Sequence, residues 1–351
     1  MNLSQAVRFA IQEIAVGPDR GRNIDFELAK QVTLGILQGQ VDEVQAAVFL
    51  IAMRMKRESS EEMRGMVSAA QDCIETVNVP IDGLLTIAEP FDGYARTVSI
   101  SAFFPAVLSA CGIPTLIHGV RSVGPKHGVT PHQVYELANV AVADDPARAA
   151  IRIVDAGWAY LDQARYLPAL HTLVELREKI IKRTALTTFE RVLRPLSARS
   201  NNTLALGYVH KAYPQVYAAI AKEVGYEQIV LSKGVEGGLT IAANKPFATY
   251  QVDLRGDEID LQRSNYASLK SSKEVVPYDQ NSDTSLLSKQ CYESGLEVLQ
   301  GKHNGTRQSL LNACVNIMVL SKGMDQQVAI EKVETCLDNG SALATFLANS
   351  V

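Results

Sequence analysis

At Val79 the texture of the chain changes, and that change constrains the fold more than any other feature of the sequence. Between Asp25 and Asp72 each segment carries helical marks; beyond Val79 short β-rich runs, "LLTIA", "TVSIS", "IPTLIHG", "QIVLSKG" and "LTIAA", alternate with helical ones. A chain that keeps switching between a period of about 2 and one of about 3.6 must pack helices on a sheet, which specifies the α/β class. Helix starts are written into the first part: Asp42 is an N-cap with Gln45 behind it, and Ser59 with Glu62 repeats the device. From Thr306 the chain is helical again, with Gly323 and Gly340 expected as C-terminal caps. The expected architecture is a small helical domain, residues 1–77, joined by helices near 161–183, and a large α/β domain, residues 78–351, around a central sheet. Leu261 to Gln290 is polar and aperiodic and reads as an exposed loop.

Composition removes several function classes. With 351 residues, 47% hydrophobic and 21% charged, the chain is an ordinary globular protein with a sizeable core. Cys73, Cys111, Cys291, Cys314 and Cys336 are scattered without C-x-x-C spacing, so they read as core fillers in a reducing compartment. The N-terminus has no basic stretch followed by an apolar one, which makes a cytoplasmic location the expectation. "VSISAFFPAVLSACGIPTLI" approaches membrane-spanning length, but Ser99, Pro105, Gly112 and Pro114 break it into strand, helix and strand, so no membrane partner is expected. A net charge of -4 excludes a globally basic nucleic-acid binder and leaves open a local basic cluster.

Four segments can carry chemistry. "TLIHGVRSVGPKHGVT", Thr115 to Thr130, follows an apolar run as a loop follows a buried strand. Its glycine turns free backbone N–H groups for phosphate oxygens, Arg121 and Lys126 add fixed charge, and His118, Gly119 and Ser122 complete the set. The structural alternative is that His118 and His127 are satisfied loop histidines and Arg121 pairs with a nearby carboxylate. "LREKIIKRTALTTFERVLRPLSAR" sets Arg177, Lys179, Lys182, Arg183, Arg191, Arg194 and Arg199 against only Glu178 and Glu190. A groove that tracks phosphates needs that density, whereas Arg177, Lys179 and Lys182 also fit a solvated helix face. "LSKGVEGGLTIA" ends a strand in Lys233 and passes Glu236 into two glycines, which lets backbone approach a ligand or simply makes a tight turn. Glu236 alone is too little to hold magnesium. "EPFDGYARTVSIS" brings Glu89, Asp92 and Gly93 back through Ser99 and Ser101, hydroxyls suited either to phosphate or to capping a helix near Ala102. No nucleophile elbow, dinucleotide fingerprint, Walker loop or H-E-x-x-H occurs.

At these residues the chain resembles the anthranilate phosphoribosyltransferase family, glycosyltransferase family 3, over nearly its whole length. "HGVRSVGPKHG" is similar to the family's "HGNRSVSSKSG" through His118, Gly119, Arg121, Ser122, Val123, Lys126 and Gly128. "QAAVFLIAMRMKRESSEEMRGM" resembles helices of its first domain, and "LLNACVNIMVL" its "LLNAALAL" helix. The resemblance implies the nucleoside phosphorylase and phosphoribosyltransferase class of fold, with a central, mostly parallel sheet, and a homodimer through the helical domains. It also implies, for active members, phosphoribosyl pyrophosphate and magnesium as ligands. The departures lie at the pyrophosphate. The family's "GTGGD" stands here as "EPFDG", keeping Asp92 and Gly93, and its "NIST" as "SISA", keeping Ser101 with Ser99 in place of Asn. Glu89 would repel a pyrophosphate that it faced, and the family's metal-binding Asp-Glu pair has become Glu236 before two glycines. Arg177 and Arg183 stand where the family brackets "KTLGI", with Arg183 matching the arginine for the acceptor carboxylate. This pattern resembles the divergent branch whose characterised bacterial members bind nucleic acid and lack anthranilate transferase activity.

Two expectations follow. The first is a transferase-fold dimer whose cleft binds a phosphate-rich ligand, single-stranded DNA or RNA, through Arg121, Lys126, Arg177, Lys182, Arg183, Arg191 and Arg194. The second is an active transferase using phosphoribosyl pyrophosphate and magnesium with anthranilate or another aromatic acceptor.

Overall fold

The computed structural model describes residues 1–17, 20–241, 248–264 and 283–350. Four helices open the chain: α1 (Leu3–Ile14), α2 (Phe26–Leu37), α3 (Glu43–Lys56) and α4 (Ser60–Asp72). Asp42 caps α3 by accepting from Val44 N and Gln45 N, and Ser59 with Glu62 closes a capping box on α4, so donors that a helix start leaves orphaned are met. The Glu62 carboxylate is buried and also accepts from Ile24 N at 2.9 Å and Lys56 Nζ at 2.7 Å, which ties α4 to the chain entering α2.

The strands are β1 (Val77–Asn78), β2 (Leu84–Ala88), β3 (Thr115–Gly119), β4 (Trp158–Asp162), β5 (Leu196–Ser197), β6 (Asn202–Gly207), β7 (Gln228–Ser232), β8 (Thr249–Asp253) and β9 (Gln262–Ser264). β1 pairs with β5, and the other seven form one sheet in the order β4-β3-β2-β6-β7-β8-β9. Its first five strands are parallel, and β8 and β9 add on antiparallel. Between the strands run α5 (Phe104–Ala110), α6 (Pro131–Leu137), α7 (Pro146–Ala156), α8 (Gln163–Tyr166), α9 (Pro168–His171), α10 (Val174–Ile180), α11 (Ala185–Phe189) and α12 (Tyr213–Glu223). α13 (Thr284–Leu299), α14 (Arg307–Lys322), α15 (Gln326–Asp338) and α16 (Ser341–Leu347) close the described chain.

Both faces of the sheet are covered, so its parallel strands are buried and largely apolar, and alternate side chains enter two separate cores. In β2, Leu84 and Ala88 join the core with α1–α4 and α8–α12, while Leu85 and Ile87 join the core with α5, α6 and α13–α16. In β4 Ala159 and Leu161 follow the first pair, and Trp158 and Tyr160 the second. A one-residue slip of register would exchange the two sets, so the pattern fixes the pairing. The helical-plus-α/β class with a mostly parallel sheet is therefore what the chain adopts.

Several local expectations are corrected. "TVSIS" is not a strand: Ser99 N donates to Cys291 Sγ, the Ser99 and Ser101 hydroxyls bond each other at 2.9 Å, and the chain turns into α5. Leu239 to Ile241 of "LTIAA" form no strand either, and its last two residues lie outside the described set. Gly323 ends α14 in the left-handed region as expected, and Gly340, left-handed at φ 78 directly after Asn339, likewise closes α15 before the chain enters α16. Of the expected loop from Leu261 to Gln290, residues 262–264 pair with β8 and residues 284–290 open α13, whose first turn Asp283 caps through Leu286 N at 2.9 Å. Residues 265–282 of it lie outside the described residues. Among the described residues no helix is long and apolar enough to cross a membrane.

Candidate functional site

In the main sheet β3 and β4 extend to one side of β2, and β6 and β7 to the other. The strand order thus reverses between β2 and β6, and a crevice opens beyond the carboxyl ends of strands at such a point. A cavity of about 330 Å³ lies there. Phe91 and Asp92 reach it from the end of β2, Tyr208 and His210 from the end of β6, and Glu236 from the turn after β7. Arg54 of α3 and Thr187 and Thr188 of α11 form the opposite wall, so the helical bundle and the sheet share the site.

The lining is positive. Arg54, Arg96, Lys126, Arg183 and Arg191 oppose Asp92 and Glu236. Asp92 Oδ2 takes Arg183 Nη2 at 2.6 Å and Nε at 2.9 Å, and its Oδ1 lies 3.4 Å from Lys126 Nζ. Glu236 accepts from Ala95 N at 3.0 Å, Arg96 N at 2.9 Å and Thr97 Oγ1 at 3.1 Å. Arg54 and Arg96 are exposed and form no salt bridge among the described residues, although the Arg54 charge acts on the nearby Glu58 carboxylate. His210 and Tyr213 (ring centroids 6.0 Å apart) and Tyr213 and Tyr217 (5.7 Å) line the far side, with the Arg191 guanidinium over the Tyr217 ring.

Two family models match the chain, the helical bundle domain of the glycosyl transferase family over residues 10–73 and its a/b domain over residues 92–343. The chain belongs to glycosyltransferase family 3. An anthranilate phosphoribosyltransferase of Novosphingobium aromaticivorans is 22% identical over 93% of this chain and 96% of its own length. An uncharacterized protein of Aquifex aeolicus is 28% identical over 73% of this chain and 76% of its own. Among solved structures, the anthranilate phosphoribosyltransferase of Saccharomyces cerevisiae in complex with PRPP and Mg superposes with a TM-score of 0.77, at 16% identity, over 99% of this chain and 97% of that one. That likeness concerns the fold.

In this family member the sequence candidates separate by burial. Lys126, Arg183, Arg191, Asp92 and Glu236 meet in the cleft. Asp92 does so paired with Arg183 and Lys126. Arg191 is buried, and its guanidinium donates to three carbonyls, Gly207 O at 3.0 Å, Ala88 O at 2.8 Å and Gly237 O at 3.0 Å, so it bolts strand ends together beneath the cleft. Arg177, expected at the ligand, is instead buried in a two-bond pair with Glu190 at 2.7 and 2.8 Å. Arg194 turns away to Ser197 Oγ at 3.2 Å and packs against Gly225. Lys182 and Lys233 are exposed and do not line the cavity.

The His-Gly segment delivers only Lys126 to the cleft. Arg121 is exposed and pairs with Glu136 at 3.0 and 3.1 Å, and Ser122 Oγ bonds His127 Nδ1 at 3.2 Å. His118 is buried with Nδ1 2.9 Å from the Tyr166 hydroxyl; burial first, and the nearby Arg191 charge second, push its pKa down to about 3. The Gly119 backbone ends β3 in the core. Ser99 and Ser101 bond one another in the core, away from the cavity. Gly93 works through packing: at φ +76 it meets the returning chain, and a Cβ there would lie 2.4 Å from the Gly128 carbonyl. Glu89 does not face the cleft. Its carboxylate is enclosed between the Tyr94 hydroxyl and Leu239 N, and burial raises its pKa.

Magnesium fits poorly with these residues. Both Glu236 oxygens are already taken by loop donors, and among the described residues no group of three His, Cys, Asp or Glu side chains is placed to hold a metal. Arg54, Arg96 and the Tyr208, His210, Tyr213 wall were missed by sequence reasoning. The run "GYVHKAYPQVY", Gly207 to Tyr217, carried the signal, because it sets His210 and Tyr213 just past the end of a strand, although Tyr208 and Tyr217 are themselves buried.

Proposed function

We propose that the cleft binds a phosphate-rich ligand that carries aromatic bases, single-stranded nucleic acid, and that the family's phosphoribosyl transfer is lost. The carrying observation is that Arg54 and Arg96, exposed cations that form no salt bridge among the described residues, share one cavity with the His210 and Tyr213 rings. Guanidiniums neutralise backbone phosphates, while aromatic faces stack bases without regard to sequence. Phosphoribosyl transfer rests on holding a magnesium-pyrophosphate leaving group. Against it, Asp92 is already paired with Arg183 and Lys126, and both Glu236 oxygens are engaged by loop donors.

Fluorescence anisotropy of a labelled single-stranded oligonucleotide across a salt series tests this reading. Affinity should fall by about 0.7 log units per log unit of salt for each phosphate neutralised, and Arg54→Ala combined with Arg96→Ala should lower that slope by about 1.4. Absent or salt-insensitive binding overturns it. The active-transferase reading is favoured by Arg183 and Lys126 reaching the same cavity. Magnesium-dependent pyrophosphate release with an aromatic amine would establish it, and Arg183→Ala would then raise the acceptor KM. The homodimer belongs to the same proposal: α3 leaves Val44, Val48 and Met55 exposed, and light scattering reads the assembly.

A further inference from the structure

At the cleft mouth several donors converge on one side chain. Ala95 N and Arg96 N, two successive backbone donors, reach the Glu236 carboxylate at 3.0 and 2.9 Å, and the Thr97 hydroxyl reaches it at 3.1 Å. Lys126 Nζ stands 3.5 Å from the same group. Paired backbone N–H groups, a hydroxyl and an ammonium around one point are the donor set that phosphate oxygens take. Here the anion inside is the protein's own, and its side chain is only 9% exposed.

The backbone beneath that carboxylate is unfavourable for a glutamate. Glu236 sits at φ 51, ψ 16, in the left-handed region where glycine rests at no steric cost, and Gly237 and Gly238 follow it. A non-glycine residue persists in such a conformation when its surroundings over-determine it. The surroundings that do so are the four donors.

We propose that Ala95 N, Arg96 N, Thr97 Oγ1 and Lys126 Nζ form a phosphate-class anion site that the chain keeps filled with the Glu236 carboxylate. The protein thereby excludes free phosphate and pyrophosphate from this point, and a ligand phosphate enters only by displacing Glu236. This goes beyond the nucleic-acid reading and does not depend on it, since its test contains no oligonucleotide.

Glu236→Gly empties the cradle and suits the left-handed backbone. Isothermal titration with inorganic pyrophosphate, at ionic strength matched with chloride, should give at most weak binding to the wild type. The variant should bind about tenfold tighter or more, and Lys126→Ala added to it should abolish the gain. A folded variant that binds pyrophosphate no better than the wild type overturns the proposal, as does a wild type that already binds it as tightly. If the variant is too unstable to titrate, thermal melting replaces titration. Pyrophosphate should then raise the variant's Tm by more than the wild type's, because a ligand that binds only the folded state stabilises it by mass action. Failure to raise it overturns the proposal equally.

Discussion

The basic segment from Arg177 to Arg199 and the mouth of the cleft use the same side chain for opposite purposes. In the segment, Arg177 and Arg191 are buried and bonded within the fold, Arg177 to a carboxylate and Arg191 to three carbonyls and a tyrosine hydroxyl. At the mouth, Arg54 and Arg96 are exposed and form no salt bridge among the described residues. Burial decides the difference. A guanidinium taken out of water must be paired and hydrogen-bonded on the spot, so it serves the fold, while one left in water remains available to a ligand. Charge density along a sequence therefore measures how many cations a chain has, not how many it can offer.

The largest test of this contrast is Arg177→Ala, which strands the buried Glu190 carboxylate. Its expected cost is about 3–5 kcal/mol, read as a fall in the urea midpoint at unchanged m. Glu190→Ala should cost a comparable amount, and the double variant less than the two together, because the second change removes the group that the first left unpaired. An Arg177→Ala protein of normal stability that had lost oligonucleotide binding would break the comparison, since Arg177 would then be a ligand residue.

His118 sharpens it from another side, because a buried base next to Arg191 escapes the cost of charge by staying neutral. Its folded pKa of about 3 lies below the ordinary 6.5, so below that ordinary value the unfolded chain binds a proton that the folded one refuses. Stability contributed by the neutral ring is full above about pH 6.5 and is lost progressively as pH falls towards 3. Urea midpoints measured across that window should drop steeply in the wild type and less steeply in His118→Gln. Equal slopes would mean that His118 is protonated in the folded protein.

The strands were legible because short apolar runs such as "LLTIA" alternate with helical ones, and Ser59 with Glu62 declares a helix start; a run buried on both faces does not declare which side chain enters which core. The site was legible only where a residue's role survives without knowledge of its neighbours. Lys126 and Arg183 reach the cleft as expected. Arg177 misled because its partner, Glu190, lies 13 residues along the chain and meets it only once α10 and α11 have packed. Arg54 was overlooked for the converse reason: it belongs to a helix whose other residues speak of packing, and only the tertiary fold turns its end towards the strand ends. "TVSIS" failed because hydroxyls and a thiol compete for backbone that a strand would have used, and period-two patterning does not register such local bonds.

The smallest expected effect is at Arg121, and it separates exposure from function. Arg121 is as open to water as a cleft cation, with 64% of its side chain exposed, yet it is tied to Glu136 and lies outside the cavity. A pair of that kind contributes about 0–1 kcal/mol, less as salt rises, so Arg121→Ala should hardly move the urea midpoint. Its salt slope for oligonucleotide binding should match the wild type, whereas Arg96→Ala alone should lose about 0.7. If Arg121→Ala lost as much, phosphates would be running along the outside of the His-Gly loop. The cleft would then be one stretch of a longer track, and the availability of a cation, with or without an acidic neighbour, would no longer mark the binding surface.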